Sequence, residues 1–415
     1  MIPKIKGTQD FLDLGLLQFV IKQTSDHLNL HNFNQIELPI LESADLFKRT
    51  VGTETDIVNK EMFIIEPRVG SNETICLRPE ATAQTMRAFL EHNIQVLPWK
   101  VFSYGAMFRY ERPQRGRYRQ FQQCNIEIIS TDDINQDVLL IGMLDSLFST
   151  KLQITNYALS LNFLGCPEDR INFREKLTNF LQANLEICET CQKRATTNPL
   201  RIFDCKNETC QKIYVTAPKI VDHLCEECNV EWKQLQNHLE LLGVSFAIKP
   251  DLVRGLDYYN KTVFEFTSPD LGAQSSFCGG GRYELATQLG HKTAVPSIGA
   301  AFGMDRILII LETIQDRLPI KPKPALTVIL PLEPKYNMLA LLVAQNLSQH
   351  TITNDIILED SSIKSKMRKA NKLGPIHCVL IGENEQATNS VTLKNMVTGN
   401  ERLVKQTKLV EALKG

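Results

Sequence analysis

No run in these 415 residues approaches the apolar length that crosses a bilayer. The segment Met1 to Phe11 holds neither the apolar core nor the cleavage site of a secretory leader. A cytoplasmic protein with no membrane partner is therefore expected. Charge of one sign is missing too: 46 Lys and Arg stand against 47 Asp and Glu, a net charge of −1. That balance gives no general pull on nucleic acid, so any RNA contact must come from local basic patches. The familiar phosphate loops are also absent. Gly279, Gly280 and Gly281 lack the Lys-Ser/Thr that would follow in a P-loop, and they do not keep the Gly-x-Gly-x-x-Gly order of a dinucleotide fold. Cysteine is not scarce. Eleven would suggest disulfides in a small secreted protein, but in a long cytosolic chain they suggest thiols or a metal. The length predicts two or three domains, and 43% hydrophobic with 22% charged residues is ordinary globular composition.

The stretch Gly105–Ser130, GAMFRYERPQRGRYRQFQQCNIEIIS, reads as two strands, near Phe102–Glu111 and Arg119–Ile129, joined by an arginine-rich loop. Side chains alternate along a strand, so Arg109 and Glu111 should share one face, as should Gln123 and Glu127. A guanidinium, a carboxylate and an amide on one open sheet surface suit a ligand with phosphates and hydrogen-bonding groups. A solvated surface hairpin is the plainer alternative.

Helices are expected around Leu17–Leu28, over Ala44–Thr50 and over Asp133–Ser149, the last with Ile134, Val138, Ile141 and Leu144 along one side. Val51–Met62 reads as a polar loop. Ile75–Leu77 is a strand running into Arg78-Pro79-Glu80-Ala81-Thr82, where a helix begins. Glu80 and Thr82 at that junction either cap the helix or point into a cleft. Tyr157–Leu164 is a strand, and 165–245 is a charged, helical, cysteine-rich insertion. Two more stretches stand out. LVRGLDYYNKTVFEF, Leu252–Phe266, is followed by SSFCGGGRY, Ser275–Tyr283, whose glycines admit close backbone approach. In IGAAFGMDRILIIL, Ile298–Leu311, Arg306 falls in the first turn of a buried helix. A cation beside free N–H donors is a natural phosphate site. Prolines 319, 322 and 324 mark a stiff linker. Beyond it an α/β pattern follows, with strands at Thr327–Leu330, Ile356–Leu358, Cys378–Ile381, Val391–Leu393 and Arg402–Val404 and helices at Tyr336–Ser348 and Ile363–Lys372. The last helix carries Lys364, Lys366, Arg368, Lys369 and Lys372, a solvated face or an RNA contact.

Together these stretches resemble the histidyl-tRNA synthetases, a class II aminoacyl-tRNA synthetase family. FRYERPQRGRYRQF is similar to motif 2 of the class, GMDR with its apolar helix to motif 3, and the segment around Pro39 to the dimer-forming motif 1. RGLDYY and CGGGRY resemble the two signatures of the histidine enzymes. The resemblance runs from Lys6-Gly7-Thr8-Gln9-Asp10 to the C-terminal domain. It implies an α+β fold: a class II catalytic domain on a mostly antiparallel sheet (1–164 and 246–318), the insertion at 165–245, and an anticodon-binding α/β domain at 325–415. It implies activation of histidine with ATP and Mg²⁺, transfer to the 3′ end of tRNA(His), and a homodimer.

The resemblance also implies roles. Arg109 would hold the ATP α-phosphate and the histidine carboxylate, with Arg254 approaching the α-phosphate during reaction. Glu111 would contact adenine, Phe121 stack on it, and Arg306 take the γ-phosphate. Glu80, Thr82 and Gln123 would bind the α-amino group, and Glu127, Tyr258 and Tyr259 the imidazole. A carboxylate nucleophile is already ionised near neutral pH, so no Ser/His/Asp or Cys/His device is needed. Alanine at position 81, where the family commonly has glycine, is a departure. The regulatory subunit of ATP phosphoribosyltransferase is the rival reading, but it lacks a C-terminal α/β domain. A class II enzyme of other specificity is opposed by RGLDYY. Class I is opposed by the absence of His-Ile-Gly-His and Lys-Met-Ser-Lys-Ser. In the insertion, Cys188-x-x-Cys191 and Cys225-x-x-Cys228 form two pairs with the spacing of a structural zinc site, with Cys205 and Cys210 as second choices. The alternative is apolar burial of the thiols.

Overall fold

A computed structural model describes residues 2–52, 55–66, 73–184, 186–256, 258–320 and 324–414, less the side chains of Asp204 and Ala273. Positions 53 and 54 of the expected loop, Asp257, and Pro322 of the linker lie outside the described residues. The chain forms two compact units, 1–320 and 321–415.

Strands in the first unit are β1 (Asn34–Gln35), β2 (Leu41–Ser43), β3 (Ile64–Ile65), β4 (Ile75–Leu77), β5 (Trp99–Phe108), β6 (Gln120–Ile129), β7 (Ala158–Phe163), β8 (Ala247–Ile248), β9 (Tyr259–Thr267), β10 (Ser276–Tyr283) and β11 (Ser297–Gly303). Among the described residues, eight of them make one sheet in the order β1-β5-β6-β11-β10-β9-β7-β8. The pairs from β5 across to β7 are antiparallel, and the two edge strands β1 and β8 pair parallel. β2, β4 and β3 form a separate small sheet.

The period of two along β6 decides which face does what. Cys124, Ile126 and Ile128 point to the apolar side, where they join Phe264, Phe266, Ile298 and Phe302 under the helices Gly15–Leu30, Asn135–Ser146 and Met304–Glu312. Gln123, Asn125 and Glu127 therefore project from the other face. The helix Asn135–Ser146 buries Val138, Leu140, Ile141, Met143 and Leu144, more than one side. The insertion helix Glu226–Leu241 explains this, because its Trp232, Leu235 and Leu239 join the same core.

Two expectations shift slightly. β5 ends at Phe108, so Arg109 and Glu111 lie just past the strand rather than on one strand face. Arg109 N–H still donates to Arg119 O at 2.9 Å, which keeps the hairpin closed over the loop. Part of the expected loop 51–62 is a short helical turn at Ile57–Glu61. The insertion folds as the helices Pro167–Ala183, Glu189–Thr197, Glu208–Tyr214 and Glu226–Leu241. No helix among the described residues is long and apolar enough to cross a membrane.

The second unit has β12 (Thr327–Pro331), β13 (Asn354–Ile356), β14 (His377–Ile381), β15 (Ser390–Asn395) and β16 (Glu401–Lys405), ordered β13-β12-β14-β15-β16. The first three strands of that order are parallel and the last two antiparallel. The helix Asn337–Gln349 covers one face through Ala340, Val343 and Leu347, and Ile363–Leu373 reaches the sheet with Ala370.

Candidate active site

Small residues opposite polar ones create the site. Across the β6–β11 ladder, Gln123 faces Gly303, Asn125 faces Ala301 and Glu127 faces Gly299. Three long polar side chains on one strand thus meet three positions with little or no side chain on the next, and a cavity opens above the sheet. It encloses about 1140 Å³, its open mouth included. Glu80, Thr82, Arg109, Glu111, Phe121, Gln123, Arg254, Tyr258, Tyr259 and Arg306 all line it. Every non-metal residue expected at the site except Glu127 thus reaches the cavity wall directly.

At its deep end Glu127 is 2% exposed. Thr82 Oγ1–H and Tyr283 O–H each donate to its carboxylate at 2.7 Å. Burial pushes this carboxyl up to about 8, with the two hydroxyl donors acting in the opposite direction. A Cβ at position 299 would overlap the Glu127 carboxylate, so glycine there is a condition of its placement. Tyr258 packs between Tyr259 and Tyr283, with ring centroids 4.7 and 5.7 Å away.

The strand–helix junction resolves differently from simple capping by Thr82. Glu80 turns back and accepts the N–H groups of Thr82 and Ala83 at 2.6 and 3.0 Å, which satisfies two free donors of the helix Thr82–Glu91. Thr82 thereby keeps its hydroxyl for Glu127. Burial raises the Glu80 carboxyl, partly offset by those N–H groups and by Arg109.

Four arginines collect toward the other end. Arg109 is anchored by Nε to Pro79 O at 2.9 Å, and its guanidinium lies over the Phe121 ring, 5.3 Å from the centroid. Arg117 ion-pairs with Glu111. Arg306, the third residue of the helix Met304–Glu312, donates from Nε to Gly116 O at 2.8 Å and also to Ser276 O. Burial and the neighbouring Arg117 and Arg109 lower its proton affinity, the condition of a cation cluster short of anions. Arg254 reaches across β10 over Gly279, where a Cβ would collide with its guanidinium. Its Nη1 donates to Glu265 Oε2 at 2.6 Å, and Glu265 is the ladder partner of Gly279. Burial works against the Arg254 charge, but Tyr259 and Glu265 outweigh it and raise its proton affinity.

Several buried polar atoms here have no partner: Gln123 Oε1, both amide atoms of Asn125, and Arg254 Nε. Buried polar groups are rarely left so, and a cluster of them facing a cavity marks a polar ligand. Sequence reasoning assigned no role to Asn125, Arg117, Glu265 or Tyr283. Asn125 could have been found from its place between Gln123 and Glu127 in the period of two. Tyr283 and Glu265 depend on which strands adjoin, which local sequence does not state. Arg282, next to Tyr283, points to the opposite face and pairs with buried Asp137 at 2.7 Å.

The expected metal set requires correction. The four thiols of Cys188, Cys191, Cys225 and Cys228 do not converge. Cys188 and Cys191 gather with Cys205 and Cys210, while Cys225 and Cys228 gather with Cys166 and Asp169. The helix Pro167–Ala183 brings Cys166 and Asp169 to the start of the helix Glu226–Leu241, which separates the two CxxC pairs.

The basic run at 364–372 is also divided. Lys366 is buried, 1% exposed, and its Nζ donates to Pro331 O at 2.6 Å. Lys369 ion-pairs with Glu359. Lys364, Arg368 and Lys372 remain exposed, four residues apart on one helix face.

Comparison with known proteins gives a consistent result. A family profile described as histidyl-tRNA synthetase matches residues 17–307, and one described as anticodon binding domain matches 327–415. A protein of Halothermothrix orenii described as a histidine–tRNA ligase is 38% identical over 416 aligned positions, 98% of each chain. A protein of the same description from Syntrophotalea carbinolica is 37% identical over 418, covering 99% of this chain and 98% of its own. The crystal structure of apo S. aureus histidyl-tRNA synthetase superposes with a TM-score of 0.82 at 30% identity, covering 100% of both chains.

Proposed function

The chain belongs to the histidyl-tRNA synthetase family, and from its cavity we propose how its own residues carry out the family reaction. It activates histidine with ATP and charges tRNA in translation. The observation that carries the residue assignment is the ladder in which Gln123, Asn125 and Glu127 face Gly303, Ala301 and Gly299. It joins a polar recognition end to an arginine end within one cavity.

Histidine enters with its imidazole toward Glu127, Tyr258 and Tyr259. An imidazole needs a polar partner at each ring nitrogen, and a carboxyl with tyrosine hydroxyls supplies both. Glu80, Thr82 and Gln123 take the α-amino group. The histidine carboxylate then lies toward Arg109 and Arg254. Its oxygen attacks the α-phosphorus of ATP, the bond to the bridging oxygen breaks, and pyrophosphate leaves. No proton moves in this step. The work is alignment and stabilisation of charge gathering on the α-phosphate. Arg109 aligns both reactants, Arg254 acts on the α-phosphate and Arg306 binds the γ-phosphate. Phe121 stacks on adenine and Glu111 meets its amino group, which requires exchange of its ion pair with Arg117. A hydroxyl at the tRNA 3′ end then attacks the acyl carbon, the bond from that carbon to the phosphate oxygen breaks, and AMP departs with the hydroxyl proton taken up by its phosphate. Magnesium supplies neutralisation of the phosphates when bound with ATP. Asp305, a carboxylate on the cavity wall next to Arg306, would suit its oxygen-ligand chemistry.

The unit 321–415 contains the anticodon-binding domain. Its stripe of Lys364, Arg368 and Lys372 is the proposed phosphate contact with the tRNA anticodon arm. The division into catalytic parts 1–164 and 246–318, insertion 165–245 and anticodon domain 325–415 is proposed on the same basis. A homodimer and a cytoplasmic location, where tRNA is charged, complete the reading. The apolar side chains Ile40, Leu41, Ile64 and Ile65, all at least 40% exposed around the motif 1 segment, support a buried dimer face there. A stable, active monomer in sedimentation at micromolar concentration would overturn the dimer. Histidine-dependent ATP–pyrophosphate exchange tests the whole reading. Variants at Glu127 and Gln123 should lose histidine affinity, while those at Arg109 lose turnover. Unchanged histidine affinity on removal of Glu127 would defeat the imidazole assignment.

A further inference from the structure

We propose that Cys188, Cys191, Cys205 and Cys210 bind one Zn²⁺ ion as a closed tetrathiolate, a structural site outside the reaction cavity. The four sulfurs all lie within 4.8 Å of one another. Cys188 Sγ and Cys205 Sγ are 3.8 Å apart. A tetrahedron with Zn–S bonds of about 2.3 Å has an edge of about 3.8 Å. No disulfide joins them, as all four cysteines are free. The four thiolates are too close together to admit the inorganic core of an iron–sulfur cluster.

Backbone donors already reach two of the sulfurs. Cys188 N–H donates to Cys210 Sγ at 3.2 Å and Asn207 N–H to Cys205 Sγ at 3.4 Å, the outer contacts that orient metal-bound thiolates. Tyr214 is 5% exposed, and its hydroxyl finds no partner at ordinary hydrogen-bond geometry, although it lies close enough to Cys191 and Cys210 to feel their charge. A buried, unpartnered hydroxyl beside the cluster is a donor that bound thiolates would use. Cys191, Cys205 and Cys210 are buried and Cys188 is half-buried, so the site is closed, as structural zinc sites are.

The second cluster differs in having a carboxylate, Asp169, in place of a fourth thiol, and in leaving Cys225 exposed, so it is not a closed tetrathiolate. Asp169 Oδ2 accepts Cys166 N–H at 3.2 Å and Oδ1 accepts Cys225 N–H at 2.8 Å. Cys166 Sγ and Cys225 Sγ accept N–H groups at the starts of their own helices. These groups satisfy one another and pin the two ends of the insertion together. The segment 186–215 instead has few apolar anchors besides its thiols: Ile187, Ile202 and Tyr214 are its buried non-cysteine hydrophobics. Metal would supply the missing folding free energy. The site would also hold the turn Pro199–Asp204, from which Arg201 Nη2 donates to Gly255 O at 3.4 Å, beside Arg254.

Metal analysis by mass spectrometry of the full chain, purified without chelator or affinity metal, is expected to find one zinc per chain. Cys205→Ser and Cys210→Ser should abolish it, while Cys166→Ser and Cys225→Ser should retain it. Cobalt exchanged into the wild-type protein should show the thiolate charge-transfer and ligand-field bands of a tetrahedral thiolate site. If the serine variants fail to fold, the cobalt spectrum of the wild-type protein decides, and absence of tetrathiolate bands there overturns the proposal. Loss of zinc should also expose 186–215 to protease before the rest of the chain. A metal-free protein with all four thiols freely reactive, a metal that persists in Cys205→Ser, or one lost with Cys225→Ser would each overturn the proposal.

Discussion

Gly299 sits directly across the β6–β11 ladder from Glu127, and the missing side chain at 299 is the space that the Glu127 carboxylate fills. The pair makes the recognition end of the cavity a property of two strands rather than one. A methyl group at 299 must displace a buried carboxyl or strain the sheet, and overpacking of this kind costs about 1–3 kcal/mol. Gly299→Ala should raise the KM for histidine at least about tenfold, with the KM for ATP little changed, and lower the Tm. The last two readouts separate local displacement from collapse of the whole cavity.

Arg254 is tied to Glu265 rather than to an open phosphate site, so its charge is held ready over Gly279. Arg254→Ala should slow adenylate formation by about 10²–10³ with small changes in substrate affinity, the usual cost of removing a donor that acts on the transition state. Single-turnover rapid quench with saturating ATP and histidine reads this directly. Normal turnover at saturation with weakened histidine binding would place Arg254 in ground-state recognition instead.

Without ligand, Glu127 makes stability depend on pH. Its carboxyl rises from an ordinary 4.5 to about 8 in the folded chain, first because it is buried. The folded state therefore holds a proton that the unfolded chain releases near 4.5. The resulting stabilisation is complete below that pH and is lost as the pH rises through about 8. Glu127→Gln, neutral throughout, should flatten the fall in Tm between those limits. Equal slopes for wild type and variant would place the proton elsewhere.

The exposed stripe of Lys364, Arg368 and Lys372 and the buried Lys366 should behave oppositely. Replacing the three exposed residues with alanine should weaken tRNA charging and reduce the salt slope of tRNA binding by roughly one for each lost phosphate contact, while ATP–pyrophosphate exchange is preserved. Lys366→Ala leaves Pro331 O without its donor and should lower the thermal stability of the 321–415 unit. Filter binding at several salt concentrations and calorimetry distinguish the two.

The buried pair Asp137–Arg282 lies behind the sheet, away from the cavity. Breaking such a pair from one side costs about 3–5 kcal/mol, because the remaining charge stays buried. Asp137→Asn should lower denaturant stability by about that amount, with exchange activity per folded molecule nearly intact.

The sequence by itself determined the parts whose cause is local. Alternation along 120–129 separates Cys124, Ile126 and Ile128 from Gln123, Asn125 and Glu127. The apolar run 304–312 places Arg306 in a first helical turn. The proline-rich break near 319–324 precedes a separate α/β unit. Each follows from a period of 2 or 3.6, or from a residue that interrupts one. Tertiary structure decided what lies beside what. Only the pairing of β11 with β6 sets Gly299 against Glu127, and only the pairing of β10 with β9 sets Glu265 beside Gly279 for Arg254 to span. CxxC spacing defines a pair of thiols, but the second pair depends on how the helices 167–183 and 226–241 close the insertion. That closure takes Cys225 and Cys228 to Cys166 and Asp169, and leaves Cys188 and Cys191 to gather with Cys205 and Cys210. Five basic residues in eleven positions look alike in sequence, yet packing against β12 buries Lys366 and leaves three on one solvent face. Chain periodicity is written in neighbouring residues, whereas strand order and helix closure minimise the free energy of the whole unit and are expressed only in contacts distant along the chain.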